Sequence, residues 1–131
     1  MEMEVIFTGN KKVAAHWRGF TVIADQPKEE GGDNSAPSPF DYFLISIGQC
    51  AGFFVLAFCQ ERGIPTDHIK LRQRLTSNAE THMISDIKIE IQIPSDFPER
   101  YKKALIKAAE SCTVKKHIQN PPQFLVKTLV G

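Results

Sequence analysis

Alternating apolar and polar positions near the N-terminus predict β-strands. Residues 3–7 alternate strictly, and β-rich runs follow at 13–17 and 20–24. Such alternation is typical of half-buried strands, and Gly9-Asn10 is a turn signal between the first two runs. We therefore predict a three-stranded antiparallel meander within the first 25 residues.

A long polar stretch follows this meander. Residues 26–38 contain Gly31-Gly32, Asp33-Asn34 and two prolines, which indicates a loop. A loop of this length inside a compact domain is usually functional or mobile. The alternative is a tolerated surface insertion.

The next segment predicts a helix with a defined start. Ser38 and Asp41 form a Ser-x-x-Asp capping box, and Pro39 suits the first helical position. No charged residue occurs over the 18 positions from Tyr42 to Cys59. A helix that is apolar on all sides belongs at the centre of a fold or of an oligomer.

This uncharged run is close to the length of a membrane span. We interpret it as a core helix instead, because small and polar residues dilute it and because the amphipathic strands on both sides need a core to cover. Gly63 and Pro65 end the helix.

The second half of the chain predicts further strands and helices. Residues 69–75 and 87–93 predict strands, the latter with isoleucine at every second position. Pro94 begins a second helix, a short helix follows at 114–118, and 124–130 predict a last strand. The order βββ-α-ββ-αα-β keeps hairpins and helices apart, so we expect an α+β fold in a single domain, residues 1–131.

Charge and composition narrow the function classes. The 131 residues carry 16 Lys+Arg against 15 Asp+Glu, a net charge of +1, without the basic patch that nucleic acid or an anionic membrane requires. Three cysteines do not make a secreted disulfide framework. The acidic start, Met1-Glu2-Met3-Glu4, is unlike a secretory signal. We expect a cytoplasmic protein whose cysteines are reduced.

The cysteines are the candidate reactive groups. Cys59 follows Cys50 by nine residues on one helix, and at about 100° per residue their thiols point in opposite directions. Cys112, predicted on the apolar stripe of the second helix, is the cysteine able to face Cys50 across a helix–helix contact. Ser111 as a cap would place Cys112 at a helix N-terminus, which favours the thiolate. The alternative is that all three are inert core residues.

A reactive thiol needs a nearby cation or hydrogen-bond donor. Arg18, between Trp17 and Gly19, is the leading candidate, and an exposed turn arginine is the alternative. The four histidines show no metal-ligand spacing, and no nucleotide-binding or nucleophile-elbow motif occurs. We predict no cofactor and no metal.

Two cysteine motifs resemble the signatures of the OsmC/Ohr family. Residues 31–50 run from a Gly/Pro loop through an apolar helix to Gly48-Gln49-Cys50 and are similar to the first signature. Residues 108–114, which contain Cys112, are similar to the second. The resemblance covers nearly the whole chain and implies the OsmC-like fold, with antiparallel sheets around a central buried helix in an intertwined homodimer.

The resemblance also implies a thiol peroxidase of organic hydroperoxides, with active sites at the subunit interface. Cys50 matches the peroxidatic cysteine, Cys112 the resolving cysteine and Arg18 the activating arginine. Hydroperoxide-resistance members carry Glu directly after the proline that opens the helix. Here Phe40 stands at that position and Asp41 follows, as in the less characterised OsmC-like branch.

The expected cycle forms a sulfenic acid on Cys50 and then a Cys50–Cys112 disulfide, which a dithiol reductant, a dihydrolipoyl protein or thioredoxin, reopens. An apolar wall that favours organic peroxides is predicted from four residues: Phe40, Phe43, Phe53 and Phe54. The alternative function is a non-catalytic carrier of a small or lipid-like molecule on the same fold. A third reading is a structural dimer module.

Overall fold

A computed structural model describes all of residues 1–131. It has two small antiparallel sheets and three α-helices, which confirms the predicted α+β class. Contacts divide the chain into two compact units, residues 1–45 and 46–131. A long helix, α1, spans Pro39–Glu61 and so begins in the first unit and ends in the second.

The first unit is built on the predicted meander. Its strands are β1 (Glu4–Gly9), β2 (Lys12–Trp17) and β3 (Phe20–Ala24), which pair antiparallel in sequence order. Arg18 and Gly19 form the two-residue turn between β2 and β3, with φ angles of 48° and 84°. Positive φ at both central residues is the requirement of a type I′ hairpin turn.

The polar stretch after β3 is an anchored loop. The carboxylate of Asp25 is fully buried and accepts hydrogen bonds from the N–H of Gln26 and from the N–H and hydroxyl of Ser35. The Ser35 hydrogen bonds, assisted by Gln26, lower the pKa of Asp25 to about 2, so the anchor stays charged at neutral pH. A β-carbon at Gly32 would lie 2.0 Å from the Gln26 carbonyl oxygen, which explains the glycine.

Helix α1 starts with the predicted capping box. The N–H of Ser38 donates to Asp41 Oδ2 at 3.0 Å, and the N–H of Asp41 donates to Ser38 Oγ at 3.1 Å. The Tyr42 hydroxyl ties the first turn to β3 through a 2.7 Å hydrogen bond to the Ile23 carbonyl. This end of α1 is therefore held by local and tertiary contacts within the first unit.

The second unit combines the rest of α1 with a hairpin and two helices. The hairpin consists of β4 (Lys70–Ser77) and β5 (Ile84–Gln92). Helices α2 (Lys102–Glu110) and α3 (Thr113–Gln119) follow. The core of the unit contains residues from α1, α2 and the segment before α2: Val55, Phe58, Cys59, Phe97 and Leu105.

Two predicted elements differ from the structure, one in where it begins and one in whether it forms. The second helix begins at Lys102, after a 3-10 turn at Glu99–Tyr101, and not at Pro94. The reason is Pro98, which disfavours helical backbone at the residue before it. The predicted last strand is absent, since residues 121–131 form neither helix nor strand. No strand of the chain pairs with them, and a strand needs a partner for its backbone hydrogen bonds.

Helix α1 is only partly covered by its own chain. It is long and apolar enough to cross a membrane by length and composition alone, and 28% of that stretch is buried. Its buried residues occupy one side: Ile47, Ala51, Val55, Phe58 and Cys59. Phe53 lies outside this stripe and is 60% exposed. The helix therefore has one face in a packed core and another apolar face open.

Candidate functional site

Two cysteines meet in the second unit, where α1 passes the start of α3. Cys50 is half-buried in the middle of α1. The Cys112 Sγ lies 3.9 Å from the Ile47 carbonyl, one turn before Cys50, and the pKa of the Cys50 thiol responds to Cys112, Thr113 and Val114. The backbone N–H groups of these last two residues are available because α3 begins at Thr113, and the first N–H groups of a helix have no partner within it.

Cys112 lies between α2 and α3 as the N-cap residue of α3, and not on the stripe of α2 as predicted. Cys112 falls outside α2 for a local reason. Helix α2 ends at Glu110, and the Ser111 hydroxyl donates to the Lys107 carbonyl at 3.2 Å, which closes the last turn of that helix. Cys112 is 2% exposed, and its Sγ accepts the N–H of Lys115 at 3.4 Å. The N-cap is therefore the cysteine itself, where the sequence favoured Ser111.

The surroundings make the two thiols differ in acidity. Burial is the largest influence on Cys50 and acts to raise its pKa, but the hydrogen bonds from Val114, Cys112 and Thr113 together outweigh burial, and the pKa of Cys50 is lowered. Burial first, and then the neighbouring Cys50 sulfur, raise the pKa of Cys112. The first proton to leave the pair therefore leaves Cys50. A thiolate beside a protonated thiol is suited to nucleophilic attack followed by disulfide formation.

Cys59 is separate from this pair, as predicted from its position on the helix. It is fully buried and packs in the core that includes Phe97 and Leu105. Burial raises the pKa of its thiol, against a smaller opposing effect of Arg62. Cys59 is therefore a poor nucleophile in the folded protein. All three cysteines are free thiols.

Arg18 belongs to the first unit and is exposed in the turn between β2 and β3. Its φ of 48° is left-handed, a conformation that glycine and asparagine adopt at lower cost than arginine. The turn alone therefore does not explain an arginine. The groups that lower the pKa of Cys50 are hydrogen-bond donors and include no cation, so a role of Arg18 at the thiol stays a prediction.

An apolar cavity that the sequence pattern did not predict lies beside Cys112. Its volume is about 510 Å³, and Cys112, Glu110 and Lys115 contribute to its lining. Six isoleucines from α1, β5, α2 and α3 form much of the wall: Ile47, Ile87, Ile89, Ile91, Ile106 and Ile118. The alternation on β5 was the available signal, since it places three of these isoleucines on one face of the hairpin.

The four predicted phenylalanines do not line this cavity. Phe53 and Phe54 meet edge to face with their ring centroids 5.4 Å apart. Phe40 and Phe43 stack at 5.7 Å in the first unit. Their part in substrate binding stays a prediction.

No group of three or more His, Cys, Asp and Glu side chains is arranged to hold a metal ion. The site presents two thiols, hydrogen-bond donors that lower the pKa of Cys50, and an apolar surface beside Cys112.

A family model described as OsmC-like protein matches residues 32–127. A Psychrobacter arcticus 273-4 protein, provisionally assigned to the osmotic stress and detoxification response, is 21% identical, with a TM-score of 0.72 over 87% of this chain and 85% of that one. An organic hydroperoxide resistance protein OsmC of Legionella pneumophila is 16% identical (TM-score 0.55, 90% and 88% covered). The organic hydroperoxide resistance protein OhrB of Bacillus subtilis is 17% identical (TM-score 0.51, 92% and 93% covered). No curated protein matches the sequence significantly.

Proposed function

Because the chain belongs to the OsmC-like family, we propose that it is a thiol peroxidase that reduces organic hydroperoxides to alcohols. The observation that carries this proposal is the Cys50–Cys112 pair, in which the pKa of one thiol is lowered and the pKa of the other is raised. Two structural neighbours are named organic hydroperoxide resistance proteins, which supports this substrate class.

The first step is attack of the Cys50 thiolate on the distal oxygen of the hydroperoxide. A sulfur–oxygen bond forms, the oxygen–oxygen bond breaks, and the sulfur becomes a sulfenic acid. The leaving alkoxide takes up a proton and departs as the alcohol. Donors at the start of α3 lower the energy of the attacking thiolate, which raises the fraction of Cys50 that is reactive at neutral pH.

The second step forms the disulfide. Cys112 attacks the Cys50 sulfur and water leaves, so that two thiols have been oxidised and one peroxide reduced. The Cys112 Sγ lies 3.9 Å from the Ile47 carbonyl, one turn before Cys50, and the neighbouring Cys50 sulfur contributes to the raised pKa of Cys112, so the attacking sulfur starts beside its target. A dithiol reductant, a dihydrolipoyl protein or thioredoxin, restores both thiols by exchange.

The protein is further proposed to be a cytoplasmic homodimer. Large apolar side chains are exposed in several parts of the chain, among them Phe7 at 87%, Phe53 at 60% and Phe124 at 87%. Contact with a second copy of the chain would cover exposed apolar side chains such as these and remove them from water. A monomeric mass by light scattering at micromolar concentration would contradict the dimer.

Mass spectrometry tests the proposed chemistry directly. One equivalent of an organic hydroperoxide should convert the reduced protein to a Cys50–Cys112 disulfide, with release of one equivalent of alcohol and full reversal by dithiothreitol. Fully reduced cysteines after this treatment would contradict the peroxidase.

Replacement of Arg18 tests the activating arginine that the resemblance implies. Asn-Gly is a favoured type I′ turn, so Arg18→Asn removes the charge and retains the backbone. We expect the apparent pKa of Cys50 to rise by about 1–3 units, the usual effect of losing a nearby opposite charge. The measurement is alkylation of Cys50 as a function of pH.

The matched control is Arg18→Lys. It keeps the positive charge, so the apparent pKa of Cys50 should rise less than in Arg18→Asn. An alkylation profile of Arg18→Asn that matches the parent protein would remove Arg18 from the site.

The apolar cavity supports a second candidate, a carrier of a small apolar molecule. Its volume of about 510 Å³ lies within the range of ligand pockets. Tight binding of an apolar ligand together with negligible peroxide turnover would favour the carrier. Turnover that depends on Cys50 would exclude it as the main function.

A further inference from the structure

Helix α1 contains two glycines one turn apart, Gly48 and Gly52, although glycine inside a helix is less stable than alanine. A β-carbon placed on Gly52 would meet nothing within 4 Å. A β-carbon placed on Gly48 would lie 2.8 Å from Gln73 Oε1 and 3.7 Å from Gln73 Cδ. At Gly48, therefore, a neighbouring side chain occupies the space that the methyl group of an alanine would need.

The side chain that Gly48 approaches is enclosed by its surroundings. Gln73 lies on β4 opposite Ile89 of β5, and its Oε1 is buried. The next residues on the same face of β4 are apolar, Leu71 and Leu75. An amide that moved in among them would lose free energy unless it found new hydrogen-bond partners. Ordinary contact begins at 3.4 Å, so a methyl group on Gly48 would push α1 and the amide apart by about half an ångström.

The same turn of α1 also reaches the thiol pair. Gly48 comes directly after Ile47, whose carbonyl oxygen lies 3.9 Å from Cys112 Sγ, and two residues before Cys50. Ile47 and Ile89 line the apolar cavity together with Cys112. The hairpin and Cys112 therefore pack around a single turn of α1. Because the backbone of one helical turn is hydrogen-bonded into a unit, a displacement at Gly48 also displaces the Ile47 carbonyl and Cys50.

We propose that Gly48 is a positioning residue: its missing side chain lets α1 lie against Gln73 at the distance that brings Cys50 within reach of Cys112. A misplacement of about 1 Å between reacting groups can cost about 100-fold, and we expect half that displacement to lower the effective concentration of one thiol at the other about tenfold. The consequence for peroxide reduction rests on the function proposed above. The position of the two thiols does not, and it can be measured without peroxide.

The test is the equilibrium of the protein with glutathione. The Cys50 and Cys112 thiols are oxidised to a disulfide, and one glutathione disulfide is reduced to two glutathione thiols. Residue-resolved mass spectrometry after acid quenching gives the equilibrium constant, which Gly48→Ala should lower about tenfold. The matched control is Gly52→Ala, which adds the same methyl group one turn later, where nothing lies within 4 Å, and should keep the parent constant.

Shortening Gln73 separates a displacement of α1 from other effects of the added methyl group. Gln73→Ala makes room for that group, so Gly48→Ala in the Gln73→Ala background should leave the constant of that background unchanged. A merely less stable but folded variant would keep its constant, because both redox forms are compared in the folded state.

An unchanged constant in Gly48→Ala overturns the proposal, and so does an equal loss in both backgrounds. A parent protein that forms no disulfide with glutathione overturns it as well. If Gly48→Ala does not fold by circular dichroism, a folded Gly48→Ala/Gln73→Ala variant with the constant of Gln73→Ala supports the proposal, and an unfolded one overturns it.

Peroxide turnover then distinguishes this proposal from the function itself. A loss in Gly48→Ala that Gln73→Ala relieves, in a parent protein that consumes no hydroperoxide, would leave the role of Gly48 standing and overturn the peroxidase. Normal turnover with equal constants in Gly48→Ala and the parent would do the reverse.

Discussion

Cys50→Ser is expected to abolish hydroperoxide consumption and to leave the fold intact. Serine replaces sulfur by oxygen in a similar volume, and its hydroxyl is too weakly acidic to form an alkoxide at neutral pH next to the same donors. The expected rate is that of the peroxide with reductant alone. The measurement is loss of an organic hydroperoxide over time in the presence of dithiothreitol, with circular dichroism to establish folding.

The matched control is Cys59→Ser on the same helix. Cys59 is fully buried in the core and separate from the Cys50–Cys112 pair, so its replacement should preserve turnover. A hydroxyl in that apolar site should lower the free energy of unfolding by about 1–3 kcal/mol. A folded but inactive Cys59→Ser variant, or a fully active Cys50→Ser variant, would show that the nucleophile is misassigned.

Cys112→Ser is expected to react with hydroperoxide once and then to be inactivated. Without the resolving thiol, the sulfenic acid on Cys50 persists until a second peroxide converts it to sulfinic acid, which dithiothreitol does not reduce. The parent protein should stop at a disulfide. Intact-mass spectrometry after one and after ten equivalents of hydroperoxide distinguishes these products, since two added oxygens differ from the loss of two hydrogens.

The serine hydroxyl at position 112 can still donate to Cys50, so the first oxidation should remain fast. This separates loss of the resolving step from loss of thiolate stabilisation. Identical products in Cys112→Ser and in the parent protein would mean that Cys112 does not resolve the sulfenic acid and that the reductant attacks it directly. Disulfide formation also requires a Cα–Cα separation of about 4.4–6.8 Å.

Much of the first unit was predictable because its determinants are close in sequence. The capping box joins Ser38 to Asp41 over three residues, and the Gly9-Asn10 turn signal lies at the end of β1, where both residues have positive φ. The alternation over 87–93 likewise predicted strand β5, because the strand period of two is a local property. The opposite orientations of Cys50 and Cys59 followed from helix geometry alone.

The site was only partly predictable because its contacts are distant in sequence. The pairing of Cys50 with Cys112 was an expectation from two motifs, whereas the donors at Thr113 and Val114 had no separate signal. The direction in which these N–H groups point depends on where α2 ends and α3 begins. The prediction placed Cys112 on α2, whereas it is the N-cap residue of α3. The isoleucine-lined cavity was missed for the same reason, since four elements contribute its walls.

The sequence by itself determined the α+β class, the start of α1, the opposite orientations of Cys50 and Cys59 on that helix, and the family. Periodicity, capping and motif spacing act over short stretches of sequence, so they can be read without the fold. Only the tertiary structure decided which thiol ionises first. The pKa of Cys50 is lowered by hydrogen-bond donors at the start of a helix 63 residues further along the chain. The pKa of Cys112 is raised because the same packing buries it. Hydrogen bonding and burial act through space, so the difference in acidity on which the proposed chemistry depends exists only in the folded chain.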